Sequence, residues 1–223
     1  MGNMAIKIII ITICIILSYT KKPGLWLNTL NTFFHESFHA LISLILGNKV
    51  KEIQFNETTE GSCTSLSKSK FRTFLSSLAG YIGCSLISLL FIFCIAKGYT
   101  HYIITVITFY SFFILLFFIR NTYALVWTIC FACINLALTL FPTPIPIEKL
   151  ILFIYATLIL IDNTKACFTI LHLSFFKAKK SGDCNLLHKV TKIPAFVWGL
   201  VFNLINAFVV YKVLKLVFLE NYI

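Results

Sequence analysis

A chain of 223 residues that is 59% hydrophobic and 12% charged, with a mean hydropathy of +0.91, is not an ordinary soluble domain and reads as a polytopic membrane protein. Its net charge of +11 is no nucleic-acid signal, because most Lys and Arg stand in short segments between apolar runs, where positive charge orients membrane helices. Nor do eight cysteines make a disulfide framework, since Cys14, Cys84, Cys94, Cys130, Cys133 and Cys167 sit inside apolar runs as small packing residues.

The predicted architecture is all-α: a single transmembrane unit over residues 1–223 with about six to seven membrane-spanning helices. The first run, Ala5 to Tyr19, ends at Lys21-Lys22-Pro23 and has no good small-residue cleavage site behind it, so it is expected to be an uncleaved span. The second, Leu25 to Leu46, stops at Gly47-Asn48, a helix-ending pair. Inside it lies Phe34-His35-Glu36-Ser37-Phe38-His39-Ala40, the pattern H-E-x-x-H. On a helix, a spacing of four puts both imidazoles on one face, where their ring nitrogens can grip a single Zn²⁺. Glu36 then lies beside the metal, positioned to take a proton from the water that the metal activates. Ionisable side chains in a bilayer are expensive, and three within five residues mark a functional site before they mark helix glue.

Lys49 to Lys70 is the only long polar stretch. Lys51, Ile53 and Phe55 alternate with Glu52 and Gln54, Asn56 to Gly61 is turn-rich, and Ser62 to Leu66 can return, so residues 49–66 read as either a small β-hairpin or a solvated loop. The third run, Phe74 to Ala96, carries Ser76, Gly80, Cys84 and Ser88 at intervals of four, a small-residue stripe expected to face the motif helix. Runs four (Tyr102 to Ile119) and five (Tyr123 to Phe141) are separated by Arg120-Asn121, and Pro142, Pro144 and Pro146 close the fifth. The sixth, Leu150 to Phe176, is interrupted by Asp162-Asn163-Thr164-Lys165, which implies either one helix with a polar kink or two half-helices. After the basic segment Lys177 to Lys192, Pro194 opens the last run, Ala195 to about Phe218, where Asn203 and Asn206 can hydrogen-bond across to neighbours.

Seven crossings would put the termini on opposite sides. One side then holds eleven Lys/Arg (Lys49, Lys51, Lys68, Lys70, Arg72, Arg120, Lys177, Lys179, Lys180, Lys189 and Lys192) and the other six (Lys21, Lys22, Lys97, Lys149, Lys212 and Lys215). The richer side is expected to be cytosolic, so the motif opens towards the cytosolic face of an integral multi-pass membrane protein.

With the motif in a membrane helix near that face, the chain resembles the site-2-protease family of intramembrane zinc metallopeptidases, in particular its small members without extra soluble domains. The likeness is carried by His35-Glu36-x-x-His39-Ala40, Gly47 and Gly61 around the hairpin-like segment, Gly80-Tyr81-x-Gly83, and Arg120-Asn121. Further on it includes Asp183 with Leu186-Leu187 and Thr191-Lys192-Ile193-Pro194-x-x-x-Trp198. The resemblance implies metal ligands His35, His39 and Asp183, Glu36 as catalytic base, Zn²⁺ as cofactor, and a transmembrane protein within the lipid bilayer as substrate. The chain departs from the family pattern in Phe38, where Gly usually precedes the second His, and in Gly182-Asp183-Cys184, which replaces an Asp-Gly pair.

The chain has two Asp, and depth separates them. Asp162 lies about 21 Å from the cytosolic end of its helix and the motif His only about 10 to 16 Å, so Asp162 is too deep, and Lys165 one turn away is its expected ion-pair partner. Asp183 is the preferred third ligand. A helical substrate must be unwound before cleavage, and β-addition along the edge Lys51 to Phe55 would hold it open. Two other classes stay in view. One is a catalytically inactive, site-2-protease-like membrane binding protein; the other is a cation transporter, disfavoured because Asn28, Thr29, Asn31 and Thr32 are the only polar residues leading from the motif to the far side and none is charged.

Overall fold

The structure is a computed structural model and describes residues 2–219. Every apolar run read from the sequence is helical: α1 (Gly2–Ser18), α2 (Lys22–Ile45), α3 (Lys70–Lys97), α4 (Thr100–Phe117), α5 (Thr122–Leu140), α6 (Ile145–Phe176) and α8 (Ala195–Leu214). A short α7 (Gly182–Thr191) forms within the basic segment, and β1 (Lys49–Phe55) pairs antiparallel with β2 (Gly61–Leu66), which decides the polar stretch in favour of a hairpin. Local chemistry sets the ends. Pro23 and Pro146 stand in the first turns of α2 and α6, Ser69 caps α3 by accepting from the Arg72 N–H, and Gly47 and Gly98 supply the positive φ that closes α2 and α3.

Four helices, α3, α4, α5 and α8 with its continuation to Phe218, are long and apolar enough to cross a membrane, and a fifth span is added if α1 and α2 count as one. The pair is bent by 102° at Tyr19 to Lys21, a broken span or re-entrant segment where the sequence suggested two independent crossings. The bend holds because the Ser18 carbonyl, freed at the end of α1, accepts from Asn28 Nδ2 (2.9 Å) and Lys165 Nζ (3.2 Å). Partners 10 and 147 residues away cannot be read from Lys21-Lys22-Pro23, and without two separate crossings the count that put the termini on opposite sides no longer applies. The polar interruption at 162–165 neither splits nor ends α6, which is one continuous helix. There Asn163 Nδ2 bonds Ser85 Oγ (2.9 Å) and Asn206 Oδ1 (3.1 Å), and Asn206 Nδ2 bonds Thr164 Oγ1 (2.9 Å), so the polar residues join α3, α6 and α8.

The motif helix α2 sits at the centre. Its back face buries Phe33 and Phe34 in an aromatic cluster with Phe91, Tyr110, Trp127 and Phe131, which anchors it against α3, α4 and α5. Its front face meets α3 along the small-residue stripe. Ser76 Oγ shares a hydrogen bond with Ser43 Oγ (2.7 Å), and Cys84 Sγ approaches the Asn31 carbonyl (3.6 Å), while Ser88 has turned to the Ala156 carbonyl of α6 (2.8 Å). Phe38 packs into the space left by Gly83, where a Cβ would lie 2.5 Å from the ring. The bulk that departs from the family pattern is therefore received by a glycine one helix away.

The outer edge of β1 is occupied. Ile53 donates to the Phe118 carbonyl (2.8 Å) and accepts from the Arg120 N–H (3.3 Å), and the Asn121 amide brackets the Phe55 backbone. That corrects the expectation that Lys51 to Phe55 is the edge open for β-addition. Among the described residues, the open edge of this two-stranded sheet belongs to β2.

Candidate metal centre

His35 and His39 project from α2 one turn apart, and their Nε2 atoms are 3.1 Å from each other. Asp183 enters from the first turn of α7, with its Oδ2 3.3 Å from His35 Nε2 and 3.2 Å from His39 Nε2. The Gly182 φ of +40° lets the chain turn into that helix and carry Asp183 back towards α2. No other group of three His, Cys, Asp or Glu among the described residues converges in this way.

The donor chemistry of this triangle fits a Zn²⁺ ion. A carbonyl can only accept, so the 2.6 Å contact between His39 Nδ1 and the Ser76 carbonyl makes Nδ1 a protonated nitrogen, and in the neutral ring that a metal requires Nε2 is then the lone pair, aimed at its two neighbours. An imidazole lone pair and a carboxylate oxygen so close together call for a shared cation. Bonds of about 2.0–2.2 Å arranged tetrahedrally separate ligand atoms by about 3.3–3.6 Å, close to the 3.1–3.3 Å found here.

Glu36 is buried beside the triangle and lines the same cavity. The hairpin closes over it at Gly61, where a Cβ would lie 2.6 Å from Glu36 Oε1, and Thr32 Oγ1 donates to the Thr59 carbonyl (3.0 Å) to pin the hairpin tip. Gly80 plays a matching part against the Nε2 edge of the imidazoles, since a Cβ there would lie 2.5 Å from His39 Nε2 and 2.6 Å from His35 Nε2. Tyr81 sets its ring edge-on against His35, with centroids 4.6 Å apart. Gly80 and Tyr81 were visible in the sequence only as a small-residue stripe and a family-like pattern, and the Ser76 carbonyl carried no signal at all, because any residue has one.

The other candidates separate cleanly. Asp162 pairs with Lys165 Nζ at 2.8 Å, as its spacing suggested, and stands outside the triangle. His101 pairs with Glu148 (3.0 Å), His172 lies against Phe176, and His188 donates to the Ile193 carbonyl (2.9 Å). Cys130 and Cys133 are exposed on α5. Cys63 lines the cavity from β2, but burial, reinforced by Glu36 and Asp183, pushes its thiol up to about 12, so it stays protonated.

The cavity holds about 1210 Å³, larger than the usual pocket for a small ligand. Its walls are α2, β2, α3, α6 and α7, with Lys179 and Lys180 at the α7 side. No curated protein and no solved structure matches the chain. The family model described as Peptidase M50B-like does match, over residues 5–213, a stretch that includes α2, the hairpin, α3 and α7. On that match the chain belongs to the Peptidase M50B-like family, which is the site-2-protease-like family.

Proposed function

We propose that this chain is an intramembrane zinc metalloprotease, a single transmembrane unit that hydrolyses peptide bonds in or near membrane-spanning segments of other proteins. The observation that carries the reading is the convergence of His35 Nε2, His39 Nε2 and Asp183 Oδ2 beside the Glu36 carboxylate, at the wall of a cavity wide enough for a peptide. These three would hold the ion. When bound, Zn²⁺ supplies Lewis acidity that polarises a carbonyl and activates water. Glu36 takes the proton from the attacking water on its carboxylate and delivers it to the leaving amine nitrogen. The Ser76 carbonyl keeps the proton of His39 on Nδ1, so Nε2 stays available as a ligand.

Peptide cleavage requires an unwound segment, because a helix hides its carbonyls in its own hydrogen bonds. The open edge of β2 runs from Gly61, against Glu36, towards Ser65, which meets Ser43 on α2. An extended segment added there as a third strand passes the triangle with its backbone exposed. Cytosolic orientation follows from charge. The hairpin, the turn at 118–121 and the basic segment that contains α7 carry most of the Lys and Arg between helices and border the cavity or the sheet beside it, so the site opens towards the cytosol.

The test is Glu36→Gln in the full chain, with zinc content and cleavage of a reporter transmembrane helix measured together. Zinc and fold are expected to survive while cleavage falls by about 10²- to 10⁴-fold. Wild-type turnover in this variant would sink the mechanism, and loss of zinc would make Glu36 a metal or structural partner instead.

A further inference from the structure

The basic segment 177–192 holds five lysines, and two of them, Lys179 and Lys180, line the cavity that contains the metal triangle. Both are exposed, and neither belongs to any ion pair found among the described residues. Lys177, Lys189 and Lys192 stay outside the lining.

Backbone bonds fix the pair relative to Asp183. The single turn Ala178–Lys180 closes with the Lys180 N–H on the Lys177 carbonyl (2.7 Å), and Asn185 Nδ2 of α7 donates to the Lys179 carbonyl (3.3 Å). Ser181, between the turn and α7, is fully buried; its Oγ donates to the Ala178 carbonyl (2.6 Å) and its own carbonyl accepts from the Cys184 N–H (2.9 Å). The lysines are therefore tied to the helix that carries the third ligand. Three residues of chain span at most about 11 Å, so Lys180 stands no more than about three extended residues from Asp183.

The cavity gives these ammonium groups no counter-charge. Of its four carboxylates, Asp183 faces the imidazoles, Glu36 is buried beside them, and Asp162 is held by Lys165 at 2.8 Å. The fourth, Glu60, stands at the hairpin tip, where Asn56 Nδ2 reaches it at 3.5 Å. Along β2 and the start of α3 the lining is uncharged Ser, Thr and Cys. A corner with two positive charges and no acid attracts an acid from outside. Lysines at a membrane surface also meet lipid phosphates, but these two stand in the wall of the cavity, next to whatever enters it, while the three outside the lining remain for the bilayer.

We propose that Lys179 and Lys180 are a specificity element: they select membrane-spanning substrates with a carboxylate side chain within about five residues of the scissile bond, on the flank that leaves past α7. The inference rests on the protease reading above and adds a substrate class to it. In the orientation given there that flank is cytosolic, where most spans carry Lys and Arg, so the same pair turns most spans away.

A charge scan tests it. Reporter transmembrane peptides carry a Glu pair or a Gln pair at successive positions on both sides of the scissile bond, and kcat/KM is measured with the full-length protein in phosphatidylcholine nanodiscs at low and high salt. Glu is expected to raise kcat/KM over Gln by about threefold to tenfold at neighbouring positions on one side only, with a smaller advantage at high salt. In the double variant Lys179→Glu with Lys180→Glu the preference should reverse, so that a Lys pair at those positions is cut faster than a Glu pair. Lys189→Glu with Lys192→Glu should keep the parent preference. Zinc content reports folding, and Lys179→Gln with Lys180→Gln, expected to flatten the scan, takes over if charge reversal prevents it. A flat scan with the parent protein, or a Glu preference that survives in the Lys179 and Lys180 variants, overturns the specificity element and leaves the protease reading standing. Activity that rises with added phosphatidylglycerol equally for every reporter, and loses that rise in the double variant, overturns it too by assigning the lysines to lipid phosphates. Reporters that are never cut overturn the protease reading, and the inference falls with it.

Discussion

Asp183 and Asp162, the only two aspartates in the chain, line one cavity, yet their carboxylates face different partners. Asp162 is neutralised within its own helix by Lys165 three residues on, and Lys165 is held in turn by the Ser18 carbonyl and the Tyr19 ring. Asp183 has no such neighbour on α7. Its carboxylate points at two imidazole nitrogens on a different helix, and the ring of one of them is oriented by a hydrogen bond from its other nitrogen to the Ser76 carbonyl. A carboxylate satisfied within one turn is closed to other ligands; one satisfied only across helices leaves a position for a cation.

The largest effect is expected at the open corner. Asp183→Asn removes a ligand atom and its charge, so zinc affinity should fall by more than the about 10- to 100-fold that outer-shell partners are worth, and reporter cleavage should drop to background. Metal analysis of the purified variant checks this, and full zinc occupancy would assign the third position to another group. Gly80→Ala sharpens the same corner from the α3 side. A helix usually gains about 0.5–1 kcal/mol from such a change, but here the methyl group meets both imidazoles, so zinc affinity is expected to fall by about tenfold or more while the metal-free protein keeps its thermal stability. If affinity is unchanged, the rings do not need the space that Gly80 leaves. The smallest effect on the site is expected from Asp162→Asn, which should retain zinc and cleavage and lose about 1–3 kcal/mol of stability, read as a lower unfolding midpoint. A variant that folds as well as the parent but loses zinc would reverse the two corners.

The same contrast separates the segments that were legible from those that were not. The H-E-x-x-H spacing announces its own geometry, because four residues on a helix bring two side chains to one face wherever the helix sits. The Asp162 pair is equally local. The hairpin was readable as a possibility, since alternation over β1 and the turn-rich tip are local signals, but which edge stays open depended on Ile53 pairing with residues 118 and 120, more than sixty positions along the chain. The bend between α1 and α2 was hidden for a similar reason, as its partners are Asn28 on α2 and Lys165 on α6. Phe38 looked like a departure at a position that wants a small residue, and its complement, Gly83, could be recognised only once α2 and α3 were side by side.

Composition and periodicity alone thus determined that this is a membrane protein of apolar helices with two histidines on one face of the second of them, because hydropathy and helical spacing act over a few residues and do not depend on what packs where. Tertiary structure decided how the site is completed: that Asp183 converges on both imidazoles, that the Ser76 carbonyl orients the His39 ring, and that Gly80 and Gly61 leave room for the imidazoles and Glu36. Each of these depends on contacts between elements far apart in the chain, and such contacts follow from how the whole bundle buries its faces.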